Sequence, residues 1–305
     1  MNTDFIKHFL HKTNFSDEAF RYILSAIEAA NKNGDVNELT ELFFASDFDI
    51  KLISEKIKNK SEQSGISPHT LWLLVLVAAA GNAKEVYEKN ATEKIYWDTF
   101  ADLKYKTEEC KKVNGIYGIT VPDWYPRFYR ASIFKLGCMQ YDIDKYIDTK
   151  NKPYTYGNIT VTDNDFVLGI HIPSSGEAFD SKARLDSYKK AYEFFKRQLN
   201  NKPMACGCHS WLLYPDYKDV FPKDSNIAAF REEFDIQSAT NQERFYDAWR
   251  VYGTKEYDNT DILPQDTTLQ RNFKAYIQNE GKYGYGCGVL LFDGEKILTK
   301  KEQKG

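Results

Sequence analysis

The stretch FVLGIHIPSSGEAFDSKARLDSYKKAYEFF, residues 166–195, decides the reading of the fold. It opens with an apolar run that stops at Pro173, as a buried strand does. A short loop, SSGEAFD, follows. Leu185, Tyr188, Tyr192, Phe195 and Leu199 then recur at helical spacing, so 181–199 reads as an amphipathic helix. A loop that opens directly into a helix presents backbone N–H groups to an anion. Ser174, Ser175 and Gly176 let that backbone approach a phosphate closely and add two hydroxyls. The same residues also suit an ordinary strand-to-helix loop capped by Asp180 or Ser181.

Working outward, strand signals appear in SIFKLGCMQYDI (132–143), MACGCHSWLLYP (204–215), RFYDAWRVYG (244–253) and YGCGVLLFDG (285–294). Helical stretches lie at 225–234 and 267–280. Strands joined by amphipathic helices predict a layered sheet with helices packed against it. Upstream the pattern is different. Ser16 precedes a helix on which Phe20, Ile23, Leu24, Ile27 and Ala30 share a face, with Gly34 as its stop. Ser67-Pro68 opens a second helix and Thr92 a third, on which Tyr96, Phe100 and Leu103 share a face. The run LWLLVLVAAA (71–80) spans about 15 Å as a helix, half a bilayer core, and reads as buried rather than membrane-spanning. The character changes near Gly115–Gly118, before VPDWYPRFYR. The expected class is therefore α+β: an all-helical N-terminal domain, 1–120, then a mixed β-sheet flanked by helices, 121–305. The Lys-rich end, LTKKEQKG (298–305), is expected to fray.

Composition narrows the function classes. Hydrophobic residues at 42% and charged residues at 28% mark a folded chain rather than a disordered one. A net charge of −3 gives no overall attraction to phosphate backbones, so nucleic acid is not an expected partner, and neither is a membrane. The 21 Tyr and 20 Phe are expected to fill the core. Five cysteines, an odd number, with no secretory segment before them, fit reduced thiols and a cytoplasmic setting.

Several residues bear on chemistry. Alternation puts Gly169 and His171 on one face of their strand, opposite Leu168, Ile170 and Ile172. In 204–215, Gly207 and His209 share a face, opposite Cys206, Cys208 and Ser210. Were these strands neighbours, His171 and His209 would line one crevice, and either could accept a proton from an amine. Each could equally be a hydrogen-bonded structural histidine. Cys206 and Cys208 point away from His209 and lack a second cluster, so no metal site is expected. Thr267 with Gln270 has capping-box spacing. Arg271, a cation in a helix's first turn, calls for an anion: a phosphate or a neighbouring carboxylate.

IHIP (170–173), CHSWLL (208–213), SNI (225–227) and TTLQR (267–271) together resemble a bacterial two-domain family. Its members join a helical N-acyltransferase N-terminal domain to a GNAT-like C-terminal domain. The resemblance implies antiparallel strands leading to one that ends in a pyrophosphate loop, then a helix and a parallel strand that splays away. It implies acetyl-CoA or another acyl-CoA as co-substrate, with the diphosphate at Ser174, Ser175 and Gly176. It further places Ile170 and Ile172 beside the pantetheine arm and Asn226 in contact with it. Where GNAT enzymes often carry a tyrosine as general acid, this sequence has Phe230 or Phe234 nearby instead. The expected function is transfer of an acyl group from CoA to a small-molecule or peptide amine. The alternative is a non-catalytic ligand- or protein-binding module, and a further one a hydrolase using Cys208 or Ser210.

Overall fold

The computed structural model describes residues 2–32, 37–45, 49–143, 147, 149 and 152–300. The chain divides into two compact units. The first comprises Met1–Lys135 with Pro173–Ser175; the second comprises Leu136–Ile172 and Gly176–Gly305. Residues 121–135 thus group with the helical unit.

The first unit is helical: α1 (Thr3–Lys12), α2 (Asp17–Lys32), α3 (Asn37–Glu41), α4 (Ile50–Ser64), α5 (Pro68–Glu88), α6 (Glu93–Phe100), α7 (Asp102–Asn114) and α8 (Pro126–Tyr129). All the others except the short α3 and α8 carry polar faces; α5 is apolar all round from Leu71 to Val77 and forms the core. Seven helices touch it, so its apolar run is hidden by protein. Pro68 stands at its first position, where the missing N–H costs nothing. Buried phenols around α5 are satisfied by backbone carbonyls: Tyr87 donates to Ile133 (2.6 Å) and Tyr96 to Ala80 (2.8 Å). The Ser16 hydroxyl accepts from Ala19 N–H, as its position before α2 predicts. Thr92 caps α6, and Leu103 falls in α7 rather than on one helix with Tyr96. The expected stop at Gly34 and the last five residues of the tail lie outside the described residues. No single helix among the described residues is long and apolar enough to cross a membrane.

The remaining elements are β1 (Ile133–Leu136), β2 (Met139–Asp142), β3 (Tyr154–Tyr156), β4 (Ile159–Val161), β5 (Val167–His171), α9 (Ser181–Phe194), α10 (Lys196–Leu199), β6 (Met204–Ser210), α11 (Asn226–Arg231), β7 (Asp235–Gln242), α12 (Ala248–Tyr252), α13 (Thr268–Gln278) and β8 (Tyr283–Phe292). Six strands form one sheet in the order β1-β2-β5-β6-β8-β7. It is mixed: β2–β5, β6–β8 and β7–β8 are antiparallel, while β5–β6 is parallel and is crossed over by α9. The fold is α+β with a helical region followed by a mixed sheet, as the sequence predicts.

On one sheet face Val167, Ala205, Val289 and Leu291 pack with Tyr154 and Val161 of the β3–β4 hairpin. On the other, Tyr141 Oη meets Ser187 Oγ of α9 at 3.0 Å and Tyr188 rests on Phe292. The turn between β1 and β2 uses Gly137 at φ +74°, where an added Cβ would come within 2.9 Å of Ser187 Cα. A separate aromatic core gathers Tyr217, Phe221, Phe245 and Phe273 around the half-buried Trp211.

The strand assignments need correction in several places: 132–143 is two strands, β1 and β2, joined by the turn at Gly137, and 204–215 is a strand only as far as Ser210. Residues 244–253 hold helix α12, because Phe245, Ala248, Val251 and Tyr252 are buried at three- and four-residue spacing, not at alternation. The strand of that region is β7, DIQSATNQ, whose mostly exposed polar side chains show no apolar alternation. The β3–β4 hairpin, turning at Gly157 (φ +57°), is also absent from the strand signals read above.

Candidate functional site

The parallel pair β5–β6 is where the sheet opens. Its ladder joins Val167 to Ala205, Leu168 to Cys206 and Gly169 to Gly207, and stops there. Both strands continue past that point, β5 to His171 and β6 to Ser210. Beyond the two glycines the ladder pairs no further residues of the two strands. His171 and His209 each lie two residues past the last pair, on the same face by alternation. The neighbouring strands that would bring the two histidines level are therefore present.

Their surroundings differ. His171 is paired on its other side with Gln140, and its Nε2 lies 3.2 Å from Oδ2 of Asp142. Asp142 is fully buried, so this carboxylate holds the ring in one orientation. His209 is exposed, with its ring 5.2 Å from that of Tyr285. Tyr285 donates to Asp247 (2.7 Å), whose other oxygen accepts from Arg250 Nε (2.8 Å). Burial, with the Asp247 charge second, holds the Tyr285 phenol well above its ordinary range, so it stays protonated.

The segment after β5 runs Ile172, Pro173, Ser174, Ser175, Gly176. Ile170 is buried and Ile172 half-buried; Ser174 and Gly176 are exposed and Ser175 half-buried. Gly176 takes φ +70° with no atom within reach of an added Cβ. Among the described residues no backbone partner holds the amides of Ser174, Gly176 or Ala178. Asp180 caps α9 by accepting from Ala183 N–H at 2.9 Å. Asn226 is exposed at the start of α11, behind the N-cap Ser225. Arg271 is spent locally: Nη1 donates to the carbonyls of Gln265 (2.7 Å) and Asp266 (3.2 Å), and Nη2 to Thr268 Oγ1 (3.1 Å). It steadies the turn before α13, where the Thr267–Gln270 capping box forms as expected.

The hydrolase candidates fare poorly. Cys208 is buried, and burial pushes its thiol up to about 12, far from a thiolate at neutral pH. Ser210 Oγ accepts from Leu212 N–H and caps the turn after β6. None of the five cysteines is in a disulfide. Among the described residues no group of three His, Cys, Asp or Glu side chains is placed to hold a metal ion.

Asp142 and Asp247 were not legible as site residues. The signal for Asp142 was a carboxylate inside a strand that is otherwise apolar or paired; for Asp247 there was none, since its segment reads as a strand.

Residues 4–131 match the family model of the N-acyltransferase N-terminal domain, and residues 133–290 that of the GNAT-like C-terminal domain. The chain belongs to the two-domain acyltransferase family that these models describe. No curated protein matches it. Solved structures share the fold. One is an acyltransferase in complex with decanoyl-CoA and teicoplanin, 17% identical over 93% of this chain and 86% of that one, with a TM-score of 0.67. Another is an acyltransferase with CoA and 10C-teicoplanin, at 16% identity, the same coverage and the same TM-score. A third, with decanoyl-CoA, is 18% identical over 92% and 85%, with a TM-score of 0.64.

Proposed function

We propose that the protein transfers an acyl group from acyl-CoA to an amine. The observation that carries this reading is the opening of β5 from β6 immediately beyond Gly169 and Gly207, with the His171–Asp142 pair at its edge. In the proposal the pantetheine arm lies along the backbone of Ile170 and Ile172 and satisfies strand groups that β6 no longer reaches. The diphosphate settles on the loop Ser174, Ser175 and Gly176 before α9, held by the amides of Ser174 and Gly176, and Asn226 contacts the arm. His171 takes a proton from the attacking amine, and Asp142 stabilises the imidazolium that results. The amine nitrogen bonds to the thioester carbon, and CoA leaves as its thiolate. A strand N–H stabilises the oxyanion. Solved relatives of the same fold hold decanoyl-CoA or CoA, and two of them a teicoplanin compound. These relatives support an acyl-CoA donor and a small-molecule or peptide acceptor. The setting we propose is cytoplasmic.

Thermal melting with CoA, acetyl-CoA, octanoyl-CoA and decanoyl-CoA tests the donor, since a ligand of the folded state raises Tm. Thiol release with an amine panel then tests turnover. No shift with any of these at millimolar concentration would leave the binding-module reading in its place.

A further inference from the structure

One buried side chain is left unused by the proposed chemistry. Arg184 lies in the first turn of α9 with no solvent exposure. All of its donors are engaged. Nε donates to both oxygens of Glu233 (3.1 Å each), and Nη2 to Glu233 Oε1 (2.8 Å) and Ser181 Oγ (3.2 Å). Nη1 donates to the carbonyls of Phe179 (2.7 Å) and Asn226 (3.2 Å). The guanidinium also lies against two rings, Phe179 at 5.2 Å and Phe230 at 6.0 Å. Glu233 is itself buried and accepts a further bond from Tyr188 Oη at 2.7 Å.

This arrangement is costly for a fold that needs only a core. Two desolvated charges do not stabilise a core better than apolar side chains of the same size. The guanidinium instead ties the end of the 174–179 loop to a segment more than forty residues on, at the first residue of α11 and the turn before β7. Phe230, which stands where the resemblance leads one to expect a tyrosine, here walls the guanidinium.

We propose that Arg184 is a positioning residue that fixes the loop after β5 and Asn226 relative to each other, and so sets the affinity for CoA. This rests on the acyl-CoA reading above. Lysine cannot reproduce the clamp, because a single ammonium lacks the planar fork that reaches two carbonyls and a carboxylate at once.

Two measurements separate the clamp from the function. Amide hydrogen exchange is followed in the ligand-free protein at 176–180 and 226–228, and CoA is titrated by calorimetry, for wild type, Arg184→Lys and Glu233→Gln. Arg184→Lys is expected to raise exchange in both segments and to weaken CoA about tenfold to a hundredfold, the usual consequence of a displaced binding backbone. Glu233→Gln keeps the two Nη1 bonds and is expected to stay nearer wild type in both readouts. Should Arg184→Lys not fold, Ser181→Ala removes the Nη2–Oγ bond alone and is expected to raise exchange at 176–180. Exchange and CoA affinity at wild-type values, with only Tm lowered, would reduce Arg184 to a core residue and overturn the proposal; unchanged exchange in Ser181→Ala would do the same. Raised exchange in a protein whose wild type binds no CoA would keep the clamp and remove the acyl-CoA reading.

Discussion

Nε2 of His171 stands 3.2 Å from the carboxylate of Asp142, and that carboxylate is wholly shielded from solvent. A buried carboxylate beside an imidazole fixes the orientation of the ring and the nitrogen that faces it. His209, exposed against Tyr285, has no carboxylate among its described contacts.

The first prediction follows from that contrast. Thiol release from acyl-CoA with an amine acceptor should fall about a hundredfold or more in His171→Ala, the range for losing a general base. Asp142→Asn should lose less than His171→Ala but more than His209→Ala. Equal losses in the two histidine variants would remove the assignment of the base.

The second concerns the buried ion pair. Glu233→Ala leaves the Arg184 charge without its carboxylate and Tyr188 Oη without an acceptor. Chemical denaturation should show a loss of about 3–5 kcal/mol. A loss within the range of an ordinary surface substitution would mean that water replaces the carboxylate.

A third prediction is pH-dependent. Lys202, together with the amide and hydroxyl of Thr162, lowers the Asp165 carboxyl to about 2, against about 3.9 in an unfolded chain. A depressed folded value means that the contribution is fully present above about pH 4 and is lost as pH falls toward 2. The stability difference between wild type and Asp165→Asn should therefore be constant from pH 5 to 7 and shrink below about pH 4. Salt should reduce it, because Lys202 is exposed. A difference that does not change with pH would show that Asp165 acts through packing alone.

Backbone geometry supplies the fourth. Gly137→Ala places a Cβ at positive φ against the backbone of Ser187, whereas Gly157→Ala meets no atom within 4 Å. Both carry the left-handed cost of about 1–2 kcal/mol, and Gly137→Ala adds a clash that only backbone movement relieves. The measured losses should rank in that order.

Thiol accessibility gives the fifth. Cys110, Cys138, Cys206 and Cys208 are buried, and Cys287 is half-buried. An aromatic disulfide reagent at pH 8 should titrate one thiol in the native protein and all five after unfolding. Early reaction of Cys208 would revive the nucleophile reading.

What the sequence disclosed depended on how locally each feature is encoded. The α5 core helix, the Thr267–Gln270 box and strands β5, β6 and β8 rest on nearby residues, and those readings hold. Strand β7 was hidden because its side chains are polar and mostly exposed, so its pairing with β8 leaves no hydrophobic period. The 244–253 segment misled because Tyr, Trp and Val favour strands, while the buried set Phe245, Ala248 and Val251 follows the helical period. The pairs His171–Asp142 and Arg184–Glu233 join residues 29 and 49 positions apart, which only the completed sheet brings together.

Trp211 follows β6 directly and sits among the rings of Tyr217, Phe221, Phe245 and Phe273 at 5.7–6.3 Å. An indole held so close to the strand terminus cannot stay still if that terminus shifts. Its emission and its near-ultraviolet dichroism, taken as the difference between wild type and Trp211→Phe because the chain has five tryptophans, give an intrinsic optical gauge of whatever displaces the end of β6.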